Sequence, residues 1–373
     1  MFFDEVHRKL GESLPESLVD DPALHVAERV GPRLAELGLL RHLVPEEGAA
    51  VDVRALCLVR EALAYASPMA DSIFAVQGLG VHPFVITKNA SGRATILDEV
   101  SRGTRICGFA LTEPLAGSDV GSMRATARRD GGGWILDGEK VFISNVGIAH
   151  QYVVFANADP SAGKRGISAF LVEAGASGLV LEKTRLSVDH PLGRLIMSGC
   201  RVPEGALIGE VGHGLRLALG TLDVFRTSVG AAAIGMAMRA LDETLARVTS
   251  RVQFGKRLAD FQLTQAAVAD MATELDAARL LVYRAAWCKD RHGRATPEIA
   301  MAKMYATEAA QRIIDRAVQL HGGSGVIDGS VVERLYREIR PLRIYEGTTE
   351  IQKLILGAAL LDPPREQSQK EKA

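Results

Sequence analysis

Apolar residues recur every three or four positions through most of the first hundred residues. After Pro22, the residues Leu24, Ala27, Val30, Leu34 and Leu37 share one helical face, and Gly38 interrupts the run. Pro45-Glu-Glu-Gly48 closes the next apolar stretch, and Val53, Leu56, Val59 and Leu63 begin another face. Ser72 to Ile86 is small and apolar, with Gln77, Gly78 and Gly80 inside it. Ala94, Ile96, Leu97 and Val100 predict a short helix that stops at Gly103. Residues 1–104 therefore read as an N-terminal α-helical domain.

The period changes near Thr104. Runs of β-branched and aromatic residues such as Val141–Ser144, Gln151–Ala156 and Ile167–Val172 alternate with turn signals at Asp130-Gly-Gly-Gly133 and Asp137-Gly138. This density of short strands predicts a central antiparallel β-barrel or sandwich over 105–213. Beyond Gly214 long stripes return. Leu222, Phe225, Val229, Ala232 and Met236 form one, and Val268, Met271, Leu275, Ala278, Val282 and Ala285 a second. Ala306, Ala309, Ile313, Ala317 and Leu320 form a third, opened by Thr296-Pro297 and stopped by Gly322-Gly323. They predict a C-terminal four-helix bundle over 214–361. Residues 362–373, Pro-Pro followed by charged and polar residues, read as a disordered tail. The chain is thus expected to be an α+β multidomain protein in the order helices, β domain, helices.

Composition removes several function classes. Lys plus Arg total 44 and Asp plus Glu 45, a balance that gives no electrostatic argument for nucleic acid or an anionic membrane. Cys57, Cys107, Cys200 and Cys288 lack zinc-ligand or CxxC spacing, which suits reduced thiols in the cytoplasm. No metal-ligand cluster is evident. No segment is expected to approach a membrane span of about 20 apolar residues, and the N-terminus lacks the pattern of a signal peptide. GxGxxG after a strand and GxxxxGK[ST] are both absent, which excludes Rossmann and P-loop readings. Gly323-Ser-Gly325 follows a helix and lacks the nucleophile-elbow pattern.

Two stretches could carry chemistry. In Tyr345-Glu346-Gly347 a carboxylate stands between an aromatic and a glycine, and Thr348 or Thr349 can cap the helix that follows. Taken alone, Glu346 is an acid favoured by a helix dipole. The second is Phe109-Ala-Leu-Thr-Glu-Pro-Leu-Ala-Gly-Ser118, a strand that runs into a glycine-containing loop. Its free N–H groups and the hydroxyls of Thr112 and Ser118 could bind polar ring edges or phosphate oxygens, or could simply make a turn.

Six motifs together resemble the acyl-CoA dehydrogenase family of flavoenzymes. They are Leu111-Thr-Glu-Pro-Leu-Ala-Gly-Ser-Asp119, Gly138-Glu-Lys-Val-Phe-Ile-Ser-Asn145, Arg201-Val-Pro-Glu-Gly-Ala-Leu-Ile-Gly209, Arg251-Val-Gln-Phe-Gly-Lys256, Gln319-Leu-His-Gly-Gly-Ser-Gly325 and Tyr345-Glu-Gly-Thr-Thr-Glu-Ile-Gln352. They stand in the family's order. The resemblance implies FAD, with Phe109, Leu111, Thr112 and Ser118 along the flavin and Phe142 and Ser144 covering its ring. The family often has Trp and Thr at the last two positions. Arg251 and Phe254, with Gln319, Gly322 and Gly323, would reach the FAD of a neighbouring subunit, and Thr348 and Glu350 match flavin-contacting positions. An arginine suits a pyrophosphate because its planar fork gives paired, charge-assisted bonds. A shared cofactor implies an obligate oligomer, a homotetramer or a dimer.

The implied reaction is α,β-dehydrogenation of an acyl thioester, on coenzyme A or on a carrier protein, with an electron-transfer flavoprotein as acceptor. Glu346 matches the catalytic base, and Gly347 leaves room beside it for close backbone approach. Phe225 occupies the position where some members carry the base instead. Arg226 matches a basic position that orients Glu346, and Asp223 one near the pantetheine arm; both, with Ser118 and Gly347, are the expected substrate-side residues.

The first hundred residues match the family less well. Ala49-Ala50 replaces a usual glycine pair, and Lys88-Asn-Ala-Ser-Gly-Arg93 replaces a polar linker. No arginine lies between Pro68 and Phe84, which disfavours a dicarboxyl substrate. Asp71 either faces the cleft or begins a helix. A flavin monooxygenase or nitroalkane-oxidising relative would lack Glu346, and a non-catalytic nucleic-acid-associated relative would need a basic domain.

Overall fold

A serine with two jobs sets the first corner of the fold. Ser67 accepts at Oγ from the N–H of Ala70, 3.2 Å away, and so caps one helix; its own N–H ends the preceding helix on Leu63 O at 2.6 Å. In the computed structural model, which describes residues 2–361 apart from 15 and 89, five helices make up the N-terminal part: α1 (Glu5–Ser13), α2 (Ala27–Glu36), α3 (Val53–Ala66), α4 (Pro68–Ile86) and α5 (Arg93–Ser101). The expected tail, 362–373, lies outside the described residues. The stripe from Leu24 to Leu37 is split. Asp21 caps a short 3-10 turn, Pro22–His25, and α2 starts only after the extended Val26.

The sheet contains β1 (Cys107–Ala110), β2 (Thr126–Asp130), β3 (Gly133–Ser144), β4 (Gln151–Asn157), β5 (Ile167–Glu173), β6 (Leu179–Lys183), β7 (Leu192–Pro203) and β8 (Leu207–Ile208). Its order is β6-β7-β3-β2-β4-β5-β8, with β1 also beside β4. The sheet is mixed, which corrects the expectation of a purely antiparallel one: β1 and β2 both pair with β4 in parallel. They occupy successive stretches of one edge of β4, so the chain from 111 to 125 must leave the sheet between them. That excursion carries the Thr112–Asp119 loop.

Beyond β8 come α6 (Gly214–Ser250), a hairpin of β9 (Val252–Gln253) and β10 (Lys256–Arg257), then α7 (Gln262–His292), α8 (Thr296–His321), α9 (Val331–Ile339) and α10 (Thr349–Leu361). Pro297 lies in the first turn of α8, but the capping position is Ala295. The long helices α6, α7 and α8 pack on one another, α3 packs on α6 and α7, and α10 lies along α8.

Two helices, α4 and α6, are long and apolar enough to cross a membrane by length and composition. This corrects the expectation that no segment would approach a span. Their apolar windows are 78% and 72% buried inside the protein, so packing within the fold accounts for that composition. In α4 the small residues permit close approach. A Cβ on Gly80 would fall 2.5 Å from Cys107 Cβ on β1, and one on Gly78 only 2.2 Å from the Phe225 ring on α6. The helix is thereby clamped between the sheet and the bundle, and its Ser72–Leu79 side becomes a cavity wall.

Candidate active site

The cavity encloses about 540 Å³ where α4, the 109–117 strand and loop, the end of β3 and the Ile344–Gly347 turn converge. Its lining is mostly apolar: Ala75, Val76 and Leu79 from α4, Phe109 and Leu111 from β1 and its loop, and Leu222 from α6. Glu346 is the one carboxylate among the described lining residues. It is half-buried, yet its Oε2 is withdrawn from solvent and has no hydrogen-bond partner among the described residues.

The backbone at Glu346 is left-handed, with φ 53°, and Gly347 follows at φ 92°. A non-glycine residue there is strained and persists only when its surroundings hold it. Three side chains do so. Arg226 Nε from α6 donates to Glu346 O at 2.9 Å; Lys303 Nζ from α8 and Gln352 Nε2 from α10 donate to Gly347 O at 2.9 and 3.0 Å. A Cβ on Gly347 would sit 2.5 Å from Gln352 Nε2, so glycine is required for that grip. Thr348, just before α10, accepts at Oγ1 from Ile351 N at 3.3 Å, while Thr349 donates to Glu308 Oε1 at 2.7 Å. Burial raises the Glu346 pKa; the charges of Arg60, Arg226 and Lys303 oppose that rise. Burial also lowers the Lys303 pKa to about 8.

The opposite wall is set by β3. Its pairing with β7 slips between Lys140 and Ile143, and within that bulge Phe142 adopts φ 57° and stands 70% exposed. A large apolar ring held out by a strained backbone is a surface built to be covered. Behind it, Lys140 Nζ is buried against Glu113 Oε1 at 2.7 Å and Leu111 O at 3.1 Å. Glu113 also accepts from the N–H groups of Arg124 and Ala125, at 2.6 and 3.0 Å. This pair pins both ends of the 111–125 excursion.

The structure brings Phe109, Leu111, Thr112, Phe142, Ser144, Glu346 and Gly347 to one cavity. Arg226 lies directly behind it on Glu346 O. Ser118 is exposed on the adjoining loop; Thr348, just before α10, and Glu350, in its first turn and exposed, lie outside the lining. Asp223 is outside the lining and is paired with Lys289 Nζ at 2.6 Å. Arg251 and Phe254 are exposed at the end of α6 and in the β9–β10 turn, where Phe254 has φ 53° and is 94% exposed. Gln319, Gly322 and Gly323 are exposed at the end of α8. None of these five lines the cavity of this same chain.

Phe225 is fully buried, stacked edge-on to His82 at 5.8 Å, so no carboxylate reaches the cavity from that position. Several residues escape the sequence reading: Arg60, Lys140 and Lys303, all buried, and Arg337 and Arg340 in the cavity lining. The available signal is a lone cation inside an apolar stripe, as at Arg60 between Leu56 and Leu63. Asp71 begins α4 but does not face the cavity; it is buried against Arg60.

Residues 108–200 match the acyl-CoA dehydrogenase middle domain and residues 212–361 the acyl-CoA dehydrogenase C-terminal domain. The chain belongs to the acyl-CoA dehydrogenase family and is an oxidoreductase acting on CH–CH bonds. It is 36% identical over 377 residues to a 3-(aryl)acrylate reductase of Clostridium sporogenes, covering 97% of this chain and 100% of that one. It is also 36% identical to a subunit of the caffeyl-CoA reductase–Etf complex of Acetobacterium woodii, with the same coverage. Among solved structures, butyryl-CoA dehydrogenase of Megasphaera elsdenii superposes with a TM-score of 0.89 at 31% identity, covering 96% of this chain and 99% of that one.

Proposed function

We propose that the protein interconverts an acyl thioester and its α,β-unsaturated form with FAD, and that Glu346 is the base that takes the α-proton. One observation carries this reading: the only carboxylate among the described lining residues of an apolar cavity is strained, desolvated at Oε2 and unpartnered there. A carboxylate without hydrogen bonds keeps its basicity, which the weakly acidic α-carbon of a thioester demands.

The residues present fit a flavin. Phe109, Leu111 and Phe142 offer apolar faces, and the hydroxyls of Thr112, Ser118 and Ser144 offer partners for polar ring edges. Bound FAD supplies the acceptor for the β-hydride. Arg226, Lys303 and Gln352 hold Glu346 in its strained turn throughout. No backbone carbonyl among the described residues accepts from the Glu346 N–H, which leaves it free to donate to the thioester oxygen as charge develops there. In the reverse direction Glu346 returns the proton to the α-carbon, so the same groups serve a reductase or a dehydrogenase.

Arg251, Phe254, Gln319, Gly322 and Gly323 are exposed and outside the lining of this chain's own cavity, which supports their reaching the cofactor of a second copy in a dimer or homotetramer. Thr348 and Glu350 lie where they could meet the same cofactor from the turn itself. An electron-transfer flavoprotein is the proposed redox partner, in keeping with the relative that belongs to an Etf complex. The four free thiols suit the reducing cytoplasm.

The test is anaerobic titration of the yellow protein with a panel of acyl thioesters, on coenzyme A and on carrier protein, while flavin absorbance is followed. Bleaching by at least one is expected; none with any thioester sinks the reading. Glu346→Gln should keep FAD and lose about 10²–10⁴-fold in bleaching rate. Unchanged bleaching would place the base elsewhere.

A further inference from the structure

One buried ion pair near the cavity is outside its lining and gives no hydrogen bond to the backbone of the Glu346 turn. Arg60 on α3 and Asp71 in the first turn of α4 are 0% and 1% exposed. Arg60 Nε and Nη2 donate to the two oxygens of Asp71, each at 2.8 Å, and Nη1 donates to Ser228 Oγ on α6 at 2.9 Å. Ser228 Oγ in turn donates to Phe225 O, next to Arg226. The pair is therefore fixed to the same helix that holds the Glu346 carbonyl. It also lies close enough to the Tyr345–Glu346 turn for both side chains to act on the Arg60 charge.

The charges facing Glu346 are unequal in sign. Arg60 comes from α3, Arg226 from α6 and Lys303 from α8; Asp71, from α4, is the one anion of this set. Glu308 on α8 and Glu350 on α10 act on Lys303, and Arg337 and Arg340 stand in the cavity lining. Arg226 and Lys303 each spend a hydrogen bond on the backbone of the turn. Arg60 gives nothing to the turn's backbone: Nε and Nη2 serve Asp71 and Nη1 serves Ser228, while its guanidinium also meets the Tyr345 side chain next to Glu346. A buried ion pair contributes little net stability, since desolvation offsets its attraction. Its field on a neighbouring carboxyl, by contrast, is strong in a dry setting.

We propose that Asp71 is a positioning residue for the proton-transfer step: its bidentate grip cancels the Arg60 charge behind Glu346 and so preserves the basicity of that carboxyl. This rests on Glu346 being the base. With Asp71 neutral, three uncancelled cations would face the carboxylate, hold it ionised to lower pH and make it a poorer acceptor for an α-proton.

The test uses the FAD-loaded protein and infrared difference titration of the Glu346 carboxyl, its band identified by disappearance in Glu346→Gln. Asp71→Asn keeps the shape and the acceptor oxygen but removes the charge. It should move the Glu346 titration to lower pH by about one unit or more, and move the acid limb of the kcat/KM profile with it. Arg60→Met combined with Asp71→Leu removes both charges and should return the titration to the wild-type position. If Asp71→Asn does not give folded protein, Asp71→Ser removes the same charge and takes its place. An unmoved Glu346 titration in a folded, FAD-loaded neutral variant would make the pair a structural clamp and overturn the proposal. The infrared readout does not depend on turnover. If Glu346→Gln stays active, the base assignment fails while the electrostatic claim is still decided.

Discussion

Behind two walls of the cavity lie two buried ion pairs, and they differ in what else they hold. Glu113 and Lys140 join at 2.7 Å, and their remaining bonds go to backbone: the N–H groups of Arg124 and Ala125 and the carbonyl of Leu111. Arg60 and Asp71 join at 2.8 Å through two parallel bonds, and the third bond of Arg60 goes to the Ser228 side chain. The first pair shapes a loop because its partners are the chain itself. The second leaves the backbone alone and acts through its field. A buried charge therefore has to be read from its partners, since burial and distance are nearly the same in both.

The two pairs should part most widely at Lys140. Lys140→Met leaves the Glu113 carboxylate buried without its cation, so a loss of about 3–5 kcal/mol is expected in denaturant unfolding, together with weaker FAD retention. Replacing both partners should separate the pairs further. Glu113→Leu with Lys140→Met still strands two backbone N–H groups and should remain about 1–3 kcal/mol below wild type. Arg60→Met with Asp71→Leu strands no backbone group and should come out near neutral in the same measurement. Equal losses in the two double variants would erase the distinction between the pairs.

Glu346 lies within reach of the Arg60–Asp71 field, and its own ionisation should be visible in stability. Its folded pKa is raised above the ordinary 4.5, chiefly by burial. Such a carboxyl destabilises the fold only where the unfolded chain would ionise it. The penalty is absent below about pH 4 and grows by about 1.4 kcal/mol for each further pH step of one, until pH reaches the folded value. Glu346→Gln should thus match wild type at acid pH and exceed it in thermal stability near neutrality. A gain independent of pH would point to relief of strain in the turn. The smallest effect is expected at the surface. The Glu5–Lys9 pair is 78% and 72% exposed, and Lys9→Ala should change stability by less than about 0.5 kcal/mol.

Much of the fold is legible in the residue pattern. Helical stripes locate α3, α6, α7 and α8 because a 3.6-residue period survives in any tertiary setting. Strand direction does not survive in that way: alternation looks the same in parallel and antiparallel pairs, so the parallel pairings of β1 and β2 with β4 leave no trace in it. The apolarity of α4 and α6 is legible, but its meaning is not, since a helix buried on all sides and a span have similar composition. Within the site, Glu346 and Phe142 stand out through their motifs. Asp71 reads as facing the cleft or starting a helix. It does start α4, yet its guanidinium partner, 11 residues earlier on another helix, follows from no local rule. Asp223 is expected on the substrate side, and its pairing with Lys289, 66 residues away, is equally invisible along the chain.

The kinds of element, their order and the chemical vocabulary of the site are already legible along the chain. Those depend on local periods, turn residues and short contiguous motifs. That Glu346 is strained, dry at one oxygen and held by α6, α8 and α10 comes from packing. Packing also sets Asp71 against Arg60. The reason is physical: desolvation and electric field at one carboxyl are sums over groups far apart along the chain, and they acquire a value only when packing brings those groups together.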